Sequence, residues 1–126
     1  MLRLKLGLLN CFSLRNKTVD VLELMVDRNL EVLAVTETWL QSGEKALCAD
    51  IKDAGFNIQH LPRKGRGGGV GVITARGVKL EKVKPYVAVK SFEYLEVLLI
   101  ASQPTRLVVI YRPGNNASFS EFLEEF

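Results

Sequence analysis

The stretch Leu30–Leu40, LEVLAVTETWL, decides the fold class of this 126-residue chain. Its apolar run Val32–Val35 is short and bounded by polar residues, which is typical of a buried strand. The polar residues Thr36–Gln41 follow and predict a loop at the carboxyl end of that strand. Ligands gather at the carboxyl ends of strands in α/β sheets. The loop carries Glu37, which is therefore the first candidate for a functional residue.

Strands and helices alternate on both sides of this stretch. The predicted order is strand, helix, strand, helix, several strands and a helix, which indicates an α/β fold with a mixed sheet. The other predicted strands are Leu2–Leu9 (ending at Asn10), Phe56–Leu61, Val70–Thr74, Tyr94–Ala101 and Leu107–Tyr111. The predicted helices are TVDVLELMVDRN (residues 18–29), Glu44–Ala54 and one that begins in SFSEFLEEF (residues 118–126).

The first helix has a predicted buried face and a predicted start. Leu22, Met25 and Val26 share one side at helical spacing, and Thr18 or Asn16 can cap the N-terminus. The second helix is followed by Gly55, where a left-handed residue commonly ends a helix. Each helix therefore has predicted boundaries that the structure can check.

Length and composition exclude several classes of protein. Hydrophobic residues are 48% and charged residues 25% of the chain, which is typical of one globular domain, residues 1–126. No apolar run approaches the roughly 18 residues of a membrane helix. Cys11, Cys48 and His60 are too few for a Cys/His zinc site; the cysteines predict reduced thiols of an intracellular protein, nuclear or cytoplasmic. The start, MLRLKLGLLNCF, is predicted as a strand, with a signal peptide as the alternative.

The middle of the chain is basic although the net charge is only +3. Between Arg63 and Lys90, eight Lys and Arg residues stand against the single acid Glu81. Such a segment can follow the phosphates of a nucleic acid, or it can be the solvated surface of a hairpin. Charge alone leaves both interpretations open. The candidate DNA-binding residues are Arg63, Lys64, Arg66 and Arg112.

Three side chains with suitable chemistry follow apolar strands: Asn10, Glu37 and Tyr111. Mg²⁺ needs only one or two protein carboxylates besides water and substrate phosphate, so Glu37 alone can anchor it. Asn10 can orient a phosphate or a metal-bound water, and Tyr111 can donate its hydroxyl to a phosphate oxygen. Position alone leaves the plainer alternatives open: an exposed loop acid, a turn residue and an ordinary strand aromatic.

Other conspicuous residues are predicted to be structural. The glycines of GRGGGVG (residues 65–71) predict a flexible connection into a strand, because GxxxxGK[ST] is absent and Val70 replaces the third glycine of GxGxxG. Trp39 is either a core anchor near the site or a base-stacking platform. His60 has no carboxylate nearby in sequence and is predicted to have a structural role.

Five segments in order along the chain resemble the endonuclease/exonuclease/phosphatase superfamily, most closely the endonuclease domains of LINE-type non-LTR retrotransposons. They are LLNCFSLRNK (residues 8–17), LEVLAVTETWL (30–40), RGGGVGVI (66–73), FEYLEVLL (92–99) and LVVIYRPGNNASFSEFLEEF (107–126). The resemblance implies the N-terminal half of a four-layered α/β sandwich, with two mixed sheets face to face and helices outside. It also implies DNA as the partner and phosphodiester hydrolysis that depends on Mg²⁺, with Mn²⁺ as an alternative.

The same resemblance implies roles for individual residues. Asn10 belongs to the metal and phosphate cluster, and Glu37 matches the metal-binding glutamate. Tyr111, in YRPG, matches the tyrosine that contacts the scissile phosphate. Phe12 stands where these enzymes often have arginine, which predicts the loss of one phosphate contact.

The family's later motifs do not occur in this sequence. A GDFN-like segment for the attacking water and a serine-aspartate-histidine segment are expected beyond Phe126. We therefore expect a chain that is inactive alone and self-associates through an exposed sheet face, because one sheet would lose the sheet that covers it. Two alternatives stay open: a non-catalytic remnant that binds nucleic acid weakly, and a phosphatase of the same superfamily.

Overall fold

A computed structural model describes residues 4–63, 67–84 and 92–112. Within these ranges the chain is an α/β structure, as predicted, and neither of its helices is long and apolar enough to cross a membrane. The predicted helix in residues 118–126 lies outside the described residues. The elements are β1 (Leu6–Asn10), α1 (Thr18–Asp27), β2 (Val32–Thr36), α2 (Lys45–Asp53), β3 (Asn57–Leu61), β4 (Val70–Thr74), β5 (Lys79–Val83), β6 (Glu93–Ile100) and β7 (Pro104–Tyr111).

The strands form two sheets, named sheet 1 and sheet 2. Sheet 1 has the strand order β1-β2-β4-β3, with β1 parallel to β2 and the other pairs antiparallel, so it is mixed as predicted. Sheet 2 is antiparallel, in the order β5-β6-β7. The register pairs Asn10 with Thr36, which sets the carboxyl ends of β1 and β2 side by side.

Two apolar clusters join three layers: helices, sheet 1 and sheet 2. The cluster between the helices and sheet 1 includes Val21, Leu22, Met25, Leu33, Val35, Ile51 and Ile73. The cluster between the two sheets includes Val32, Ala34, Val70, Val72, Leu95, Val97, Leu99 and Val109. Because both faces of β2 are covered, every residue of this strand is buried, and its uninterrupted apolar sequence follows from that position.

The expectation of a sheet face without cover is wrong for β2 and β4, because sheet 2 folds back over them. The exposed apolar part of sheet 1 is on β1, its edge strand, where Leu6 and Leu8 are 53% and 74% exposed. By register these two leucines share the face of Val32 and Ala34, which the inter-sheet cluster covers, but β1 is at the edge of sheet 1, beside that cluster. The alternating leucines of β1 thus lie beside the inter-sheet core rather than inside it.

Sheet 2 differs most from the prediction. β5 is missed by sequence reasoning because Lys79, Glu81 and Lys82 are exposed and leave no apolar run. Only the packing of Leu80 against the inter-sheet cluster marks its inner face. Charges on such an edge strand discourage pairing with another chain. β7 begins at Pro104, earlier than predicted, at the first strand position, where a missing N–H is tolerated.

The helix predictions are correct in place and wrong in detail. α1 buries Val21, Leu22 and Met25, whereas Val26 is 64% exposed. The buried face of the helix therefore includes Val21 in place of the predicted Val26. The N-cap position is Lys17 and has no side-chain cap bond, so neither Asn16 nor Thr18 caps the helix. The Thr18 hydroxyl instead donates to Leu14 O at 3.2 Å. After α2, Gly55 has φ +94°, the left-handed residue that was predicted.

Candidate active site

The candidate site begins where β2 ends, at Glu37. The backbone there is held on both sides: Ser13 N–H donates to Glu37 O at 2.8 Å, and Trp39 N–H donates to Gly68 O at 2.9 Å. Glu37 has φ +57°, a left-handed conformation that non-glycine residues rarely adopt because it costs about 1 kcal/mol or more. The flanking hydrogen bonds therefore hold Glu37 in a conformation that its own backbone disfavours.

The carboxylate of half-buried Glu37 accepts hydrogen bonds from three sides. The Tyr111 hydroxyl donates to Oε1. Trp39 Nε1 donates to Oε2 at 2.6 Å, and Gly68 N–H donates to the same oxygen at 3.2 Å. An indole N–H and a backbone N–H on one oxygen fix the orientation of the carboxylate. Trp39 is half-buried, and this bond holds its side chain beside the site; whether it also stacks on a base stays a prediction.

Tyr111 reaches Glu37 from the other sheet. It ends β7, and its register partner on β6 is Glu93. Because sheet 2 packs over β4, the end of β7 comes to the same edge as the end of β2. The structure therefore brings together Glu37 and Tyr111, two of the three residues predicted as catalytic.

Glu93 is a buried acid that sequence reasoning did not single out. It is only 3% exposed, and both of its carboxylate oxygens accept the Gly69 N–H, at 2.9 and 3.0 Å. A buried carboxylate needs such donors, because its desolvation is costly otherwise. The available signal was an acid within the apolar segment FEYLEVLL, where a strand facing only a core would have an apolar residue.

The glycine turn Gly67–Gly69 supplies these backbone donors. Gly68 and Gly69 have φ +84° and +89°. A Cβ on Gly68 would stand 2.8 Å from Glu93 Oε1, and one on Gly69 would overlap Thr38 Oγ1. Glycine is therefore required for close approach as well as for the backbone conformation. The N–H groups of Gly68 and Gly69 donate to protein carboxylates, and a phosphate-loop interpretation gains no support.

Asn10 lies on the strand next to that of Glu37 and at the same end of sheet 1. It is exposed and pairs in register with Thr36, the residue before Glu37. Its backbone therefore lies at the same end of sheet 1 as the Glu37 loop. The Tyr111–Glu37 hydrogen bond joins two of the three predicted residues, and the place of Asn10 in the site stays a prediction.

The donor atoms at this edge fit a hard divalent cation. Carboxylate and amide oxygens are the ligands that Mg²⁺ prefers. Oε2 of Glu37 accepts hydrogen bonds from Trp39 and Gly68. Among residues 4–63, 67–84 and 92–112, Oε1 accepts a hydrogen bond from Tyr111. A carboxylate oxygen has two lone pairs, so Oε1 keeps one for a cation. In the same ranges no three His, Cys, Asp or Glu side chains cluster to hold a metal. A cation here would complete its shell with water and substrate oxygens.

The predicted DNA-binding residues are only partly described. Arg63 is half-buried after β3, with its backbone N–H donating to Leu40 O at 2.8 Å. Arg112 directly follows Tyr111 and is also half-buried. Lys64 and Arg66 lie outside the described residues. Arg63 is thus next to the 37–40 loop through its backbone, and Arg112 is next to Tyr111 in the chain. Two arginines therefore lie close to the candidate site in the fold.

Two further titratable groups have shifted pKa values. Burial raises the pKa of the Cys11 thiol, whose Sγ lies 3.4 Å from the carbonyl oxygens of Thr36 and Glu37. Burial also lowers the pKa of His60; Lys82 lowers it further, and Glu44 opposes the shift. The raised pKa keeps the Cys11 thiol protonated at neutral pH, so burial does not make it a nucleophile. Both cysteines are free, Cys11 buried and Cys48 half-buried.

Comparisons with protein-family models and with curated protein sequences find no match. Solved structures do match. The 3′ phosphatase NExo from Neisseria, bound to product DNA hairpin, aligns at TM-score 0.62 and 16% identity over 84% of this chain and 40% of its own. An AP endonuclease from Archaeoglobus fulgidus aligns at TM-score 0.58 and 18% identity over 77% and 37%. The AP endonuclease LMAP from Leishmania major aligns at 0.57 and 13% over 94% and 42%.

These matches show a shared fold, at identities too low to carry function. The chain spans about two fifths of the length of the solved structures that it matches. Within that span it has the α/β fold of the AP endonucleases and exonuclease-phosphatases.

Proposed function

We propose that this chain carries part of the active site of a Mg²⁺-dependent phosphodiesterase that cleaves DNA, of the retroelement endonuclease type. The observation that supports this most directly is the hydrogen bond from Tyr111 to Glu37. It joins a carboxylate suited to Mg²⁺ and a hydroxyl suited to a phosphate oxygen at one sheet edge. NExo, a structural neighbour, is a 3′ phosphatase bound to product DNA, which is in line with phosphate chemistry on DNA.

The residues have separate tasks in this proposal. Glu37 and Asn10 would hold the cation, which when bound supplies Lewis-acid stabilisation of the phosphate. Trp39 and Gly68 keep Oε2 of Glu37 in place while Oε1 changes partner. Tyr111 turns its hydroxyl from Glu37 to a phosphate oxygen, where negative charge develops in the transition state. Arg63, Lys64, Arg66 and Arg112 contact the DNA backbone.

We also propose that the chain supplies the N-terminal half of such a domain, in the nucleus or cytoplasm, with trace activity at most by itself. Its sequence has no GDFN-like and no serine-aspartate-histidine segment. A general base for the attacking water typically contributes about 10²–10⁴-fold to the rate. Losing that base leaves cation, tyrosine and DNA contacts, which bind and polarise a phosphate but activate water poorly.

A phosphatase of the same fold is the second candidate, because NExo is a 3′ phosphatase. The two activities differ in the bond that breaks. A supercoiled plasmid reports endonuclease cleavage as nicking, and a 3′-phosphorylated oligonucleotide reports phosphatase action as inorganic phosphate. Both substrates belong in one experiment, with Mg²⁺, Mn²⁺ or EDTA.

The variants for that experiment are Glu37→Gln and Tyr111→Phe, with Glu81→Gln as the matched control on exposed β5. We expect trace nicking at most, and any product that does form should need the metal, fall to background in Glu37→Gln and be unchanged in Glu81→Gln. Measurable product that is equal in wild type and Glu37→Gln, or product in EDTA, would reject the proposed site. Metal-dependent phosphate release without nicking would favour the phosphatase, and salt-sensitive DNA binding without metal dependence would favour the non-catalytic remnant.

Metal binding can be tested without turnover, because Trp39 is the only tryptophan and donates to Glu37. Paramagnetic Mn²⁺ bound at Glu37 should quench its fluorescence saturably, and Mg²⁺ should reverse the quenching by competition. We expect Glu37→Gln to raise the half-saturating Mn²⁺ concentration at least about tenfold, as loss of a charged ligand should. Identical titration curves for Glu37→Gln and Glu81→Gln would place the metal elsewhere.

A further inference from the structure

Phe12 is a large apolar side chain in solvent beside the candidate site. The residue is 61% exposed, and its ring packs edge-on against Trp39, with ring centroids 6.4 Å apart and planes at 88°. Trp39 in turn donates to Glu37 at 2.6 Å. One aromatic contact and one hydrogen bond therefore connect the Phe12 ring to the carboxylate.

The backbone under Phe12 is held in a conformation that phenylalanine disfavours. Phe12 and Ser13 have φ +45° and +81°, both in the left-handed region. Lys17 Nζ donates to Cys11 O at 2.6 Å and to Phe12 O at 2.9 Å. Cys11 N–H donates to Thr36 O at 3.0 Å, and Ser13 N–H bonds to Glu37 O. The segment is thus fixed to the Glu37 loop on one side and to α1 on the other.

This arrangement has no explanation in packing alone. A single exposed apolar residue is ordinary, but one that also needs a strained backbone usually gains burial in return. Phe12 gains little, since most of its surface stays in water. The strained backbone instead holds the aromatic ring in a fixed position in solvent. The ammonium of exposed Lys17 lies beside it, bonded to the Phe12 carbonyl oxygen.

We propose that Phe12 stacks on an unpaired base of the DNA strand that the site binds, so that the site prefers unpaired DNA to continuous duplex. This rests on the proposed function and adds its substrate form. Bases inside a duplex have both faces covered by their neighbours, whereas a base in a single strand, at an end or turned out of the stack offers a face. A ring held in place before binding loses little entropy on contact.

The test measures DNA binding without cleavage. Fluorescence anisotropy in EDTA gives Kd for a labelled oligothymidylate of about twelve nucleotides and for a labelled duplex of the same length. The variants are Phe12→Asn and Phe12→Tyr, because Asn tolerates the left-handed backbone and Tyr keeps a stacking ring. Val26→Asn is the matched control, an equally exposed apolar residue on α1.

We expect wild type to bind the single strand more tightly than the duplex. Stacking on one base is worth about 1–3 kcal/mol, so Phe12→Asn should weaken single-strand binding about 5- to 100-fold and change duplex binding less than about twofold. Phe12→Tyr and Val26→Asn should stay within about twofold of wild type. Equal loss on both substrates, no loss, or tighter binding of duplex by wild type would overturn the inference.

Failure of this inference is distinguishable from failure of the proposed function. Metal-dependent nicking with unchanged binding in Phe12→Asn would leave the nuclease assignment standing and reject the stacking role. Loss of single-strand binding in Phe12→Asn, together with product that is equal in Glu37→Gln or that forms in EDTA, would support the stacking role and reject the proposed site.

Discussion

The hydroxyl of Tyr111 donates a hydrogen bond to the carboxylate of Glu37, 74 residues earlier in the chain. Glu37 follows β2 of sheet 1 and Tyr111 ends β7 of sheet 2. The bond therefore joins the two sheets at the edge where the candidate site lies. Glu37 and Tyr111, which are proposed for chemistry, therefore also connect the two sheets. A stability measurement can test whether their hydrogen bond forms.

The first prediction concerns this bond. Tyr111→Phe should lower the free energy of unfolding by about 1.5–3 kcal/mol, the usual range for a hydrogen bond to a charged group. Urea denaturation of the two single variants and the double variant with Glu37→Gln forms a double-mutant cycle. Tyr94→Phe is the control, since its hydroxyl bonds to Glu96 at 2.5 Å, apart from Glu37. If the losses in unfolding free energy from Tyr111→Phe and Glu37→Gln simply add up in the double variant, the two side chains do not interact.

The second prediction concerns the glycine turn. Gly69→Ala places a Cβ against Thr38 Oγ1 and 3.3 Å from Trp39 N, at φ +89°. The backbone conformation alone costs about 1–2 kcal/mol, and the overlap adds to it. Gly43→Ala is the matched control, with φ +83° and no atom within 4 Å of its new Cβ. Urea denaturation should show a clearly larger loss of unfolding free energy for Gly69→Ala than for Gly43→Ala. Equal losses would mean that the turn can move to accommodate the Cβ at no extra cost.

The third prediction concerns pH and the single histidine. Burial first, and Lys82 second, lower the pKa of His60 below its usual 6.5, and its buried Nδ1 has no hydrogen-bond partner among the described residues. The unfolded chain therefore binds this proton more readily than the folded chain. The stabilising contribution is complete above about pH 6.5 and declines as pH falls from there toward the folded pKa. Urea midpoints near pH 7.5 and pH 5.5 should differ more for wild type than for His60→Gln. The same difference in both proteins would assign the acid sensitivity to other groups.

Apolar runs allowed most of the fold to be predicted from the sequence. Val70–Thr74 is predicted with its exact bounds because both of its faces are buried and its residues are almost all apolar. β5 is missed because an edge strand with exposed Lys79 and Glu81 has no such run. The packing of sheet 2 over β2 and β4 is also missed, since it depends on contacts between segments far apart in the chain.

The site was predictable to a similar degree. The strand-end rule and the family resemblance both singled out Glu37 and Tyr111, and the fold brings them together. Glu93 was not singled out, because one of its donors is the backbone N–H of Gly69 and no side-chain pattern encodes such a partner. The roles of Asn10, Glu37 and Tyr111 in catalysis stay predictions, for which the nicking and Mn²⁺ experiments are designed.

The last prediction concerns self-association, which we expect through the uncovered side of β1. This edge strand presents Leu6 and Leu8 to water, and an exposed apolar edge invites pairing with a second copy. Leu8→Lys places a charge in that edge and should lower the weight-average mass in sedimentation equilibrium toward that of the 14.1 kDa monomer. Val108→Lys is the control, because Val108 is exposed on β7 of the other sheet. If wild type is a monomer at every concentration, the exposed apolar edge of β1 does not cause self-association. If Val108→Lys lowers the mass as much as Leu8→Lys does, the contact between copies is not specific to β1.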